Sequence, residues 1–150
     1  MFTSIVVGTD GSETAVHAVA RATELARQFH AQLHIVSACQ VVDPLLMASA
    51  AAVNGLMVSP IDVPEGSAID ETQTMLDHLA DPIEASGVAV ATWPCRGGAV
   101  AAILDVAEKQ RADLIVVGGR VMTGARRILG SVPNSVAHKA DCAVLIVKTD

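Results

Sequence analysis

Five short aliphatic runs rich in β-branched residues, separated by stretches of helical period, constrain the fold of this chain more than any other feature. The first, Ile5-Val6-Val7-Gly8, closes in Thr9-Asp10-Gly11-Ser12, a tight turn whose serine suits a helix N-cap. From Ala15, the positions Ala15, Val19, Ala22, Leu25, Ala26 and Phe29 recur at helical spacing, with Arg21, Glu24, Arg27 and Gln28 on the other face, and the helix ends near His30. Leu33 to Ala38 repeats the buried-strand pattern. A second helix starts at Ser67, carries Ile69, Thr72, Leu76, Leu79 and Ile83 along one stripe, and stops at Gly87. Val88 to Trp93 reads as a third strand, Pro94 to Gly98 as a turn, and Val100, Ile103, Leu104 and Ala107 as the inward face of a third helix. Asp113 to Val117 is a fourth strand, Ser131 to Lys139 a fourth helix, and Ala143 to Val147 a fifth strand.

Strand, helix, strand units this short imply parallel neighbours and right-handed crossovers. Their repetition predicts an α/β fold, an open parallel five-stranded sheet with helices on both faces. If the chain winds one way from strand one and then returns to add strands four and five, the order is 3-2-1-4-5. Ligands of such sheets bind beyond the C-terminal strand ends at the switch point, here between strands one and four, so Asp10 and Gly118 would face one ligand. Val41 to Gly66 breaks the pattern: Asp43-Pro44, Asn54-Gly55, Ser59-Pro60 and Pro64-Glu65-Gly66 surround an Ala-rich stretch at Met47–Val53. It reads as a long, partly helical connection of the mobile or partner-facing kind.

A chain of 150 residues fits one domain, 1–150. With half its residues apolar but only one Trp, two Phe and no Tyr, its core must come from Val, Ile, Leu and Ala. A net charge of −6 argues against nucleic-acid binding, which needs surplus Lys and Arg on one face. Cys39, Cys95 and Cys142 form no CxxC pair and have no His at zinc-like intervals, so they read as reduced and buried. Met1-Phe2-Thr3-Ser4 runs into the first strand without a basic n-region, and no apolar stretch is long enough to span a membrane; the expectation is a cytoplasmic protein.

The chemistry-bearing stretch is Gly118 to Ser131, set between a buried strand and a helix start. Such a loop can turn backbone N–H groups toward an anion, and Gly130-Ser131 would add the positive end of a helix dipole. Glycine lets the backbone approach phosphate oxygens, but it also serves a plain turn, and the loop alone leaves both readings open. The segment is neither a Walker A loop, lacking the GK[ST] lysine, nor GxGxxG. Asp10 could accept from ribose hydroxyls or hold a phosphate-bound magnesium, or could simply bond its own turn. Of the adjacent Arg126 and Arg127, one at most can point at a single ligand. His17, His30, His34, His78 and His138 are scattered, with no nucleophile at motif spacing. A receiver domain would need an Asp where Trp93-Pro94-Cys95 stands, a flavodoxin-like carrier would need stacking rings, and the SGGxDS and HxGH signatures of related ATP-using enzymes are absent.

Gly8-Thr9-Asp10-Gly11-Ser12, taken with Val117-Gly118 through Leu129-Gly130-Ser131-Val132-Pro133-Asn134 and the closing Ala140 to Val147, resembles the universal stress proteins over essentially the whole chain. The resemblance implies a Rossmann-like fold of the adenine nucleotide alpha hydrolase kind. In the ATP-binding branch of that family the loop reads G-x2-G-x9-G-[ST]. Gly118 and Gly130-Ser131 match its ends, but Val121 replaces the second glycine and only eight residues separate it from Gly130.

By that resemblance the nucleotide-binding residues are Gly8, Thr9, Asp10, Ser37, Ala38, Val117, Gly118, Gly119, Arg120, Gly130, Ser131 and Val132, with Ser37 and Ala38 flooring the adenine pocket and Asp10 near any Mg²⁺. The implied protein binds ATP, with at most slow hydrolysis, and acts in stress response or signalling beside an unidentified protein partner. A cyclic-AMP binder and a dimeric interaction module that binds no nucleotide are the alternatives. The apolar fifth strand, Ala143 to Val147, falls at the sheet edge, where it invites pairing into a homodimer unless a loop covers it.

Overall fold

Successive residues of a strand face opposite sides of its sheet, so a strand buried on both sides needs apolar residues at every position. Ile5, Val6 and Val7 are each 0% exposed, and Leu33, Ile35, Val36 and Leu114 to Val117 are nearly as buried. In the computed structural model these runs form strands β1 (Ser4–Gly8), β2 (Gln32–Cys39) and β4 (Leu114–Gly119), flanked by β3 (Val90–Arg96) and β5 (Ala143–Lys148). Helices α1 (Glu13–Phe29), α2 (Ser67–Ala85), α3 (Ala99–Lys109) and α4 (Ser131–Lys139) connect them. The structure describes residues 1–39, 67–119 and 131–148, with positions 49, 52, 53 and 55 between them. Apart from those four positions, the Val41 to Gly66 connection lies outside the described residues.

All neighbouring strands are parallel and the order is β3-β2-β1-β4-β5, as the alternation predicts. The core forms two layers. Ile5, Val7, Leu33, Ile35, Leu114 and Val116 pack with Ala18, Ala22 and Ala26 of α1 and Leu76 of α2. On the other face Val6, Val36, Ile115 and Val117 pack with Ala102, Ile103 and Val106 of α3 and Val136 of α4. Ser12 caps α1, its hydroxyl accepting from Ala15 N at 3.2 Å, and His30 ends the helix in the left-handed region. No helix among the described residues is long and apolar enough to cross a membrane.

One staple aligns β1 with β4 at their N-terminal ends. Asp113 Oδ2 accepts from Thr3 N and Thr3 Oγ1, both at 2.8 Å, and Oδ1 accepts from Ser4 N at 3.2 Å. Desolvation by itself would raise this carboxyl, but the donors from Thr3 and Ser4 outweigh it and hold the group below its ordinary value.

Three features differ from those predicted. β3 runs through Pro94 to Arg96 instead of stopping at Trp93. Leu33 N donates to Ala89 O and Gly97 N to Cys39 O, so the odd-numbered residues of β3 turn their backbone groups toward β2. Pro94 then has its nitrogen on the outer side, where a missing N–H costs no ladder bond. β4 includes Gly118 and Gly119, paired with Val147 and Lys148. Finally, the three cysteines are free thiols but only half-buried: Cys95 and Cys142 pack at the partly exposed margin of the α3 layer, and Cys39 ends β2.

Candidate functional site

The sheet parts at the C-terminal end of its middle strands. β1 and β4 pair at Ile5↔Leu114, Val6↔Ile115 and Val7↔Val116, and there the ladder stops. β1 stays with β2 to Gly8↔Val36, while β4 stays with β5 to Gly119↔Lys148. Gly8 and the Val117–Gly119 end of β4 thus line the two sides of a crevice at the topological switch point.

Gly8 is there because a side chain would not fit. A Cβ on it would lie 2.5 Å from Ile103 Cδ1, with Val117 Cγ1 at 4.0 Å. The Ile103 side chain, rising from α3, fills the notch and floors the crevice with hydrocarbon. Val117 is 2% exposed with its side chain in that same layer, so its backbone is what it can offer a ligand.

Beyond Gly8 the chain makes a turn held by its own side chains. Thr9 N donates to Val36 O at 2.9 Å, continuing the contact with β2. Thr9 Oγ1 accepts from Gly11 N at 3.2 Å and Asp10 Oδ1 from Ser12 N at 2.9 Å. Gly11 takes φ +76°, a conformation that favours glycine, and a Cβ there would meet Met75 Sδ at 3.2 Å. With Ser12 Oγ on Ala15 N, two of the first four donors of α1, those of Ser12 and Ala15, are taken from within. The start of α1 also presents the exposed Asp10 carboxylate, whose charge disfavours an anion there.

Ser37 and Ala38 sit at the end of β2, adjacent to Pro94 and Cys95. They alternate: Ser37, 4% exposed, points to the α1–α2 side like Ile35, and Ala38 packs on the α3 side. A base lying over both would meet one side chain and the backbone of the other. Cys39 Sγ donates to Cys95 O at 3.3 Å, adding a side-chain bond between β2 and β3 at this end. Burial pushes the Cys95 thiol up, which keeps it protonated and poorly nucleophilic.

The structure brings Gly8, Thr9, Asp10, Ser37, Ala38, Val117, Gly118 and Gly119 to one end of the sheet. Ser131 begins α4, and Val132 is half-buried against the α3 layer. Arg120, Val121, Arg126, Arg127 and Gly130 lie outside the described residues. Among the described residues no three His, Cys, Asp or Glu side chains cluster as a metal site. Sequence reasoning did not connect Ile103 or Met75 with this site. Each touches a glycine more than sixty positions away in the chain, and an apolar residue on a helical stripe carries no mark of which glycine it will meet.

The model of the universal stress protein family matches residues 1–148. Universal stress protein Rv1636 of Mycobacterium tuberculosis is 35% identical over 153 residues, covering 99% of this chain and 97% of its own. Universal stress protein MJ0531 of Methanocaldococcus jannaschii is 34% identical over 149 residues, covering 99% of this chain and 83% of its own. Among solved structures, that of a universal stress protein in complex with cAMP superposes with a TM-score of 0.75 at 28% identity, covering 99% of both chains.

Proposed function

Because this chain belongs to the universal stress protein family, we propose that the crevice between β1 and β4 binds an adenine nucleotide and that the protein works by holding it. The observation that carries this reading is the parting of the sheet after Val7↔Val116, with glycines on both sides and small residues on the adjoining end of β2. In this reading the base lies against Ser37 and Ala38, and the Asp10 carboxylate accepts from the ribose hydroxyls. The phosphates go to the β4 side, to the backbone of Gly118, Gly119, Arg120 and Gly130 and the start of α4 at Ser131 and Val132, because the exposed Asp10 carboxylate stands before α1.

The ligand in the first reading is ATP. The chemistry at Asp10 fits magnesium carried on its phosphates, since such an ion keeps most of its waters and takes one or two carboxylates. In this reading hydrolysis is slow or absent. A second reading, cyclic AMP, is favoured by the likeness to the cAMP complex and by Val121, which replaces a glycine of the triphosphate loop.

Calorimetric titration of the purified protein with ATP, ATP with Mg²⁺, and cyclic AMP ranks the two. Heat release and chromatography of any co-purified nucleotide accompany it. Absence of binding by all three, with nothing co-purified, refutes the site.

The same reading includes a homodimer formed by β5. Pro94 blocks ladder growth at the β3 edge, whereas Ala143 to Lys148 contains no proline and Leu145 is 38% exposed. Sedimentation velocity at micromolar concentration tests this directly.

A further inference from the structure

His34 is a polar residue 1% exposed within β2, three and four residues before Ser37 and Ala38. Its Nδ1 accepts a hydrogen bond at 3.1 Å from Nε1–H of Trp93, on the adjacent edge strand β3. Indole nitrogen only donates, so the bond needs an imidazole with no proton on Nδ1. Trp93 is in register with Val36, and the next two rungs of the ladder are Ser37↔Pro94 and Ala38↔Cys95.

β3, the edge strand paired with the Ser37 and Ala38 end of β2, has no fully buried residue. Beyond its ladder with β2, three side-chain bonds to neighbouring elements tie it down among the described residues. On one face Gln73 Nε2 donates to Thr92 Oγ1 at 3.0 Å, on the other Trp93 donates to His34, and at the strand end Cys39 Sγ donates to Cys95 O. Of these only the Trp93–His34 bond contains a group whose ordinary titration lies near neutral pH.

We propose that the Trp93–His34 pair is an acid-released latch, holding β3 against the β2 end that bears Ser37 and Ala38, so that protonating the imidazole weakens nucleotide binding in the crevice. The coupling rests on the nucleotide reading above. Protonation at Nδ1 removes the acceptor and leaves a cation in an apolar layer with an indole N–H facing it. Burial already holds this imidazole below its ordinary value, so the neutral, latched form is the resting one at pH 7. Around it β1 presents Val6 and β4 lies beyond. The charged or titratable groups of the elements packed on that face are Cys95 of β3, Asp105, Glu108 and Lys109 of α3, and His138 and Lys139 of α4. Asp105 and Lys109 are exposed and paired at 2.7 Å, and Glu108, His138 and Lys139 are exposed.

Trp93 is the only tryptophan of the chain, so its fluorescence reports on the latch without any ligand. Wild type is expected to show an emission change as the pH falls below about 6.5 with far-UV circular dichroism unchanged. His34→Asn, whose amide oxygen can accept from the indole in the place of Nδ1, is expected to lack it. In the second arm, ATP and cyclic AMP are titrated between about pH 8 and 5.5. Wild type is expected to lose affinity progressively toward the acid end, by at most about tenfold at pH 5.5, and His34→Asn to stay flat. The latch is overturned if wild-type emission does not change before global unfolding, or if the change persists in His34→Asn. The coupling is overturned if both proteins lose affinity equally, or neither does. A protein that binds neither nucleotide at pH 8 refutes the site and the coupling together, while the fluorescence arm still decides the latch.

Discussion

The contact between Gly8 and Ile103 makes a quantitative prediction. In Gly8→Ala the new methyl carbon falls 2.5 Å from Ile103 Cδ1 and 3.1 Å from Cγ1, and Ile103, 4% exposed, has little room to withdraw. Overpacking of this kind costs about 1–3 kcal/mol, and exchanging a strand glycine for alanine returns about 0.5–1, leaving a net loss on the order of 1–2 kcal/mol. Ile103→Val alone removes the δ-methyl from a filled notch and costs about 0.5–1.5 kcal/mol. Combined, the two changes exchange one methyl for the other in nearly the same space. The double variant is therefore expected to lose less than about 1 kcal/mol, a coupling on the order of 1–2 kcal/mol in favour of the pair. Urea unfolding of the four proteins measures this, with m unchanged across the set. In a thermal melt, each kcal/mol appears as about 2–4 °C for a domain of this length. A double variant destabilised by the sum of the singles, within about 0.3 kcal/mol, refutes the account of Ile103 as the filler of the Gly8 notch.

Asp113→Ala strips Thr3 and Ser4 of their acceptor and is expected to cost about 1–2 kcal/mol in urea. Since the folded carboxyl titrates below its ordinary 3.8, its contribution is present above that value and is lost as the pH falls from there through the lower folded value, a component the variant should lack. His34 has the same sign with a different window: the unfolded chain takes up a proton first, so stability is expected to fall as the pH drops below 6.5, and His34→Asn flattens that segment of the stability curve. Asp10→Asn keeps the oxygen that accepts from Ser12 N but removes the charge, so the melting temperature of the free protein should hold while nucleotide affinity falls about tenfold, as for the loss of one charged hydrogen bond. Unchanged affinity in calorimetry would show that the carboxylate serves the turn alone. Leu145→Lys places a charge on the exposed β5 edge and should shift the sedimentation coefficient to that of a monomer without altering the circular dichroism spectrum.

The strand order and the two-layer core were legible because β1, β2 and β4 each carry aliphatic residues at adjacent positions, and so on both faces, a pattern that needs cover on both and so implies helices on both. Pro94 misled for a local reason: proline ends a central strand but not an edge strand whose nitrogen faces outward, and facing is a property of the register with β2. Ser37 and Ala38 were located correctly at the end of β2, yet their opposite orientations follow from alternation once Ile35 and Val36 are assigned to their layers. His34 looked like one of five scattered histidines because its partner lies 59 positions away on a neighbouring strand. The bond exists only through the offset of that pairing, information that no local pattern carries. The Asp113 staple was hidden likewise, since an aspartate before a strand commonly marks nothing more than a turn.

The proline on β3 also bears on how large an assembly this chain can make. A sheet with two growing edges can accept a copy at each and lengthen indefinitely, the route to fibres. Here one margin carries at Pro94 a residue that has no hydrogen to give, and the other carries no proline. Addition at the open margin about a two-fold axis consumes both copies' only growing edge, leaving proline at each end of the joined sheet. If β5 pairs as proposed, assembly through the sheet would close at two subunits, and replacing Pro94 with a residue such as Val or Thr is the substitution that would reopen the path to longer polymers.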